Sequence, residues 1–161
     1  ANIYARDATA AVMGTNSLNK LYGNRFVLGL GVSHAPLVAD FRGHEYASPV
    51  KTMRAYLDRM DQAWAALGGA PAEKPVVLAA LGPQMSKLAA ARTLGTFPYN
   101  ITPAQVALSR AAMGPNGAII CEQKVCLTED PVVARKAARA ALGVYMGLPN
   151  YYNNWFRLGF D

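Results

Sequence analysis

Short apolar stretches alternate strictly with amphipathic segments of helical length along this chain, and that alternation restricts the fold more than any other feature. Residues 25–32, Arg-Phe-Val-Leu-Gly-Leu-Gly-Val, are nearly continuous in apolar character. That is the pattern of a parallel strand covered on both faces. A strand-like start at Asn2-Ile3-Tyr4 precedes it, and further strands are predicted over 75–81, 95–99 and 118–127. Between them lie helices predicted at 8–21, 49–67, 83–92, 103–113 and 131–142, with a last, partly aromatic one over 149–160. Their ends carry ordinary punctuation: Asp7, Thr102 and Asp130 as N-caps, Pro49, Pro103 and Pro131 in first turns, and Gly23 as a stop. In the helix over 49–67, Met53, Tyr56, Leu57, Met60 and Trp64 recur three and four apart and mark a core-facing stripe. Residues 33–48 read as a long connection without a helix, and residues 68–71, Gly-Gly-Ala-Pro, as a turn.

About five parallel strands alternating with five or six helices define an α/β fold, either a doubly wound open sheet or part of a closed (β/α)8 barrel. Both place ligands at the carboxyl ends of the strands. The 161 residues suit a single α/β domain, 1–161, yet fall short of the about 250 typical of a complete barrel.

Composition narrows the class of partner. Sixteen Lys and Arg against ten Asp and Glu give a net charge of +6, which favours anionic ligands. The basic residues are scattered, and the densest group, Arg135, Lys136 and Arg139, reads as the solvated face of a helix. No aromatic-interleaved basic run is present, so nucleic acid is not expected as a partner. No apolar run reaches the length of a membrane span, and no signal sequence is visible, so a cytoplasmic protein without a membrane partner is expected. Cys121 and Cys126 fall at an odd separation on the predicted strand, on opposite faces, and read as two buried or half-buried thiols in a reducing compartment. Neither a zinc pattern nor a CxxC pair occurs, so no metal is expected.

Two strand ends could carry chemistry. Gly29-Leu30-Gly31-Val32-Ser33-His34 lets a flat ligand approach the backbone at the glycines and projects Ser33 and His34 just beyond the strand. The full dinucleotide fingerprint is absent, with no third glycine and no helix opening there. His34 suits an acid, a base or a hydrogen-bond donor, or a structural loop histidine; His44 reads more simply as structural. At Leu81-Gly82-Pro83-Gln84-Met85-Ser86 a strand stops at glycine and a helix begins at once. The N–H groups of Gln84, Met85 and Ser86 then suit a phosphate, although a plain strand-to-helix turn fits the same spacing. Pro98-Tyr99-Asn100 and Glu122-Gln123-Lys124 either line a pocket or cap strands.

Taken together, the segments 24–34 (Asn-Arg-Phe-Val-Leu-Gly-Leu-Gly-Val-Ser-His), 81–85 (Leu-Gly-Pro-Gln-Met), 97–103 (Phe-Pro-Tyr-Asn-Ile-Thr-Pro) and 148–160 (Leu-Pro-Asn-Tyr-Tyr-Asn-Asn-Trp-Phe-Arg-Leu-Gly-Phe), with the helix bearing Met53 and Tyr56, resemble the bacterial-luciferase-like oxidoreductase superfamily. The similarity is greatest to an actinobacterial branch that uses the deazaflavin coenzyme F420, and it covers essentially the whole chain. The resemblance implies a partial (β/α)8 TIM barrel, the chain spanning about the third to the seventh βα units. It implies hydride transfer between F420 and a small-molecule organic substrate, with FMN-dependent monooxygenation as the alternative. A cofactor ring would lie across the strand ends, with Asn2 and Ile3 at its edge near a non-proline cis peptide common in the family. Gly29 and Gly31 would lie beneath the ring, and Gly82, Pro83, Gln84 and Met85 at its phosphate. His34 would be the catalytic residue, facing the substrate as a hydrogen-bond or proton donor during hydride transfer, with Ser33 and Tyr99 also toward the substrate. The reactive cysteine of luciferase proper is replaced around Gly31, so light emission is not implied. Open strand edges imply a homo-oligomer. A different class of reading, a non-catalytic, self-associating barrel fragment, fits the same length.

Overall fold

The computed structural model describes residues 1–67 and 74–160; the turn expected at residues 68–71 lies outside them. The chain runs through α1 (Ala8–Leu21), β1 (Leu28–Leu30), α2 (Ala35–Ala39), α3 (Pro49–Ala66), β2 (Val76–Leu78), α4 (Pro83–Arg92), β3 (Gly95–Thr96), α5 (Pro103–Met113), β4 (Ala118–Ile119), α6 (Pro131–Met146) and α7 (Pro149–Arg157). The four strands pair in sequence order, β1-β2-β3-β4, all parallel, with Leu28 opposite Val76, Val77 opposite Gly95 and Gly95 opposite Ala118. Sequential order with helical crossovers is the arrangement of a partial barrel wall.

Local chemistry explains the helix boundaries. The Asp7 carboxylate accepts from the Ala10 N–H, the Thr102 hydroxyl from Gln105, and the Asp130 carboxylate from Val132 and Val133. Each cap satisfies N–H groups that a helix start leaves without partners. Gly114 closes α5 at φ +69°, a left-handed conformation that favours glycine. The following turn is held by Arg110, which donates to the carbonyls of Gly114, Pro115 and Gly117.

The core lies between the sheet and helices α1, α3 and α4. Leu30, Val76 and Leu78 from the strands meet Val12 of α1, Met53, Met60 and Trp64 of α3, and Leu88 and Ala89 of α4. Trp64 is 1% exposed, and its indole N–H donates to Asn16 Oδ1 across the α1–α3 contact. On the rim, Arg92 of α4 bridges Asp58 and Asp61 of α3, and Lys74 also pairs with Asp61. No helix among the described residues is long and apolar enough to cross a membrane.

Four expectations need correction. The first strand reduces to a single bridge between Asn2 and Gly31, because the Ala5 N–H turns back onto the Asn2 carbonyl before α1 is capped. The connection after β1 does contain a helix, α2, with Pro36 in its first turn. The strand predicted over 118–127 ends at Ile119 and touches its neighbour again only through the Tyr99–Glu122 bridge. Beyond that bridge no partner strand is present among the described residues, and Val125 and Leu127 stand 81% and 99% exposed. Cys121 and Cys126, expected to be buried or half-buried, are exposed free thiols for the same reason. Arg135, Lys136 and Arg139 are solvated as expected, and α6 buries no residue at all.

Candidate functional site

Three strand ends and the last helix enclose a cavity of about 590 Å³. That volume lies within the usual range for small-molecule sites. The end of β1 contributes Gly31, Val32, Ser33 and His34. Ser33 holds φ +59°, an uncommon conformation for a non-glycine residue. Its carbonyl is gripped from two directions, by the Tyr46 hydroxyl at 3.2 Å and by Asn150 Nδ2 at 3.4 Å. The twist at Ser33 turns the chain off the sheet so that the next residue, His34, lines the cavity. His34 Nδ1 lies 3.3 Å from the same Asn150 nitrogen, and its ring sits 5.6 Å from that of Tyr151. Burial pushes the His34 pKa below its usual value, so the imidazole is neutral at pH 7.

The end of β2 supplies Ala79, Ala80 and Leu81, then Gly82 as the N-cap of α4. Gly82 has no side chain to cap with, and Pro83 has no N–H to give. The N–H groups of Gln84 and Met85 therefore lack intrahelical acceptors, at the positive end of the helix dipole. The Ser86 hydroxyl and N–H both turn back to the Gly82 carbonyl. The Leu81 carbonyl is satisfied by the buried Gln105 amide.

The end of β3 brings Phe97 and Tyr99. The Tyr99 hydroxyl donates to Tyr145 at 2.8 Å, and the Lys124 ammonium sits 4.5 Å from the Tyr99 ring centroid. Tyr151 fills the angle between them, edge-on to Tyr99 and Tyr145. Burial foremost, then Tyr145 and Tyr99, push the Tyr151 phenol up to about 12, so it stays protonated.

Of the residues singled out in the sequence, Gly31, Ser33, His34, Gly82, Pro83, Gln84, Met85 and Tyr99 converge on this cavity. Asn2, Ile3 and Gly29 are not part of its lining. Asn2 spends its side-chain oxygen on the Tyr4 N–H, Ile3 is buried in the core, and Gly29 lies deeper in β1 against Phe97 and Val77. The peptides of this segment are trans, as are all described ones. His44 sits near Tyr4, the ring centroids 6.4 Å apart and the planes tilted, away from the cavity. Glu122, Gln123 and Lys124 line a second cleft, of about 570 Å³, against α6 and Trp155. No group of three or more His, Cys, Asp or Glu side chains gathers among the described residues.

Sequence reasoning missed what α7 adds: Asn150, Tyr151, Asn153 and Arg157 form one wall. The Arg157 guanidinium reaches over the start of α4, where a Cβ built on Gly82 would stand 3.7 Å from its terminal nitrogen. A signal was present, since an Asn- and aromatic-rich helix with one Arg is unusual for a solvent face.

Comparison with known proteins accords with this geometry. A family model described as luciferase-like monooxygenase matches residues 1–160. A Mycobacterium tuberculosis protein named as a coenzyme F420-dependent oxidoreductase is 26% identical over an alignment of 185 residues, covering 89% of this chain and 53% of the relative. The chain thus spans about half the length of that relative. A match along essentially its entire length, together with the parallel strands and the cavity at their carboxyl ends, identifies the group: the chain belongs to the luciferase-like monooxygenase family.

Proposed function

We propose that this chain forms, as one α/β domain, the central part of a cofactor site in an oxidoreductase that moves a hydride between the deazaflavin coenzyme F420 and a small organic substrate. The observation that carries the reading is a single cavity combining a floor of small residues with an uncapped helix start. Both features fit the group. Gly31 and Ala79 lie side by side, and a Cβ on Gly31 would already stand 3.4 Å from that of Ala79, so the floor has room for a flat ring only because the side chains are this small. The donor set at the other end, the Gln84 and Met85 N–H groups with Arg157, is chemistry for a phosphate. The name of the Mycobacterium tuberculosis relative favours F420 over FMN.

When bound, the deazaflavin supplies or accepts the hydride; the protein supplies position and electrostatics. Gln84, Met85 and Arg157 hold the anionic end. Tyr99, Tyr151 and Phe97 wall the cavity with aromatic surface and keep water from the reacting faces. His34, neutral and with Nε2 free of partners among the described residues, donates a hydrogen bond to the substrate.

The test is a titration of the chain with F420 and with FMN, followed by absorbance. A bound deazaflavin absorbs toward the violet, whereas a flavin adds a blue band. Binding of F420 in preference to FMN is expected, and binding of FMN alone, or of neither, would overturn the assignment. If a His34→Ala variant keeps F420 binding but turns over at the wild-type rate, His34 has no part in the mechanism.

A further inference from the structure

We propose that Asn150, on the first turn of α7, is a positioning residue that fixes His34 in the tautomer carrying its proton on Nε2. The two side chains come from positions 116 residues apart and meet at the cavity wall.

A third group determines which way the amide faces. Asn150 Nδ2 lies 3.4 Å from the Ser33 carbonyl oxygen, which offers lone pairs and no hydrogen. Turning the amide oxygen toward that carbonyl would set two acceptors against each other, so the NH2 group faces Ser33. The same nitrogen is 3.3 Å from His34 Nδ1. An amide nitrogen donates and does not accept, so Nδ1 must present its lone pair. The neutral ring then has its one proton on Nε2. The two hydrogens of the amide match these two acceptors, one each.

The arrangement is held, not incidental. Ser33 is in the left-handed region at φ +59°, and the Tyr46 hydroxyl donates to the same carbonyl at 3.2 Å. The carbonyl cannot swing away without breaking both bonds. On the other side, the Tyr151 ring confines the imidazole at 5.6 Å. Nε2 has no partner among the described residues, so its proton is left for a ligand. A ring fixed in this way is a donor at the cavity and not a base. Resting on the oxidoreductase reading above, this names the substrate class: an organic molecule presenting an acceptor oxygen, a carbonyl or hydroxyl, to His34.

The experiment is long-range proton–nitrogen correlation NMR on the 15N-labelled chain, above the pH of histidine titration, with a His44→Gln variant to assign the His34 signals. The wild type is expected to show Nδ1 as a bare ring nitrogen and Nε2 as a protonated one. Asn150→Asp replaces a donor with a group that only accepts, so the proton should move to Nδ1. An acidic residue in the first turn of α7 is favoured by the helix dipole, which protects the fold of this variant. Asn150→Leu, with neither donor nor acceptor, should release His34 to a mixture of tautomers. A wild-type ring protonated on Nδ1 would overturn the proposal. So would an Asn150→Asp or Asn150→Leu variant in which His34 keeps the undiluted Nε2–H form. F420 titration of the same samples separates this from the function: the expected tautomer shifts without cofactor binding would sink the oxidoreductase reading alone. Cofactor binding with no tautomer shift would sink the positioning role alone.

Discussion

Removing the charge at Arg157 should weaken cofactor binding by an amount that Coulomb's law sizes. The guanidinium stands over the N-terminus of α4, 3.7 Å from where a Cβ on Gly82 would be, and it is steadied by a 3.1 Å bond to Asn154 Oδ1. With a separation of about 5 Å taken between that charge and an anion on the Gln84 and Met85 N–H groups, and an effective dielectric of about 40 to 80, between that of a protein surface and that of water, the effect can be sized. Coulomb's law gives about 0.8 to 1.7 kcal/mol for each unit of anion charge, which is roughly a 4- to 17-fold change in Kd. Arg157→Ala is therefore expected to weaken F420 by about that factor in a fluorescence titration at low salt. The gap between wild type and variant should close near 1 M salt, where the screening length falls to about 3 Å. The decisive control is a deazaflavin core that lacks the phosphate side chain: wild type and variant should bind it equally. An equal loss for the phosphate-free core, or a Kd for F420 unchanged by the substitution, would refute the placement of the anionic end at Gly82.

Burial lowers the His34 pKa below its ordinary 6.5, so below about pH 6.5 the unfolded chain binds a proton that the folded state resists, and stability falls with falling pH. In thermal melts between about pH 7.5 and pH 5.5, His34→Gln should lose less Tm than the wild type, and equal losses would show that the fold does not favour neutral His34. Trp64→Ala empties the α1–α3 contact and removes the bond to Asn16; urea unfolding should show a loss of about 3–5 kcal/mol, and a loss below about 1 kcal/mol would contradict the packing. The outer edge of β4 is unpaired among the described residues, Leu127 is 99% exposed and α6 buries nothing, so light scattering should find the chain associated. A monodisperse species of 17.2 kDa would contradict that, and if it also lacked cofactor affinity the enzyme reading would fail with it.

How far the sequence carried depended on the distance over which each feature is determined. The ends of α1, α4 and α5 were legible because they are decided within a few residues: Asp7 caps Ala10, Thr102 caps Gln105, and Gly82-Pro83 stops one element and starts the next. The strand ends that line the cavity were legible for a related reason, since parallel strands joined by helices must all point their carboxyl ends one way. What stayed hidden was set by contacts between distant segments. Asn150 acquires a role only because α7 folds back onto Ser33 and His34, and Arg157 only because the same helix crosses the start of α4. Residues 118–127 show the converse error. Their apolar character records a tendency to be covered, but a strand exists only where a neighbour pairs with it, and beyond Glu122 none of the described residues does. The same logic bears on the site. One wall comes from the end of β1, the adjoining wall from the last helix and the rest from the ends of β2 and β3, so the cavity exists only once the sheet has formed and α7 has folded back onto it. A substitution in the α1–α3 core should therefore abolish ligand binding in step with unfolding, whereas one at Asn150 or Arg157 should alter binding in a chain that remains folded.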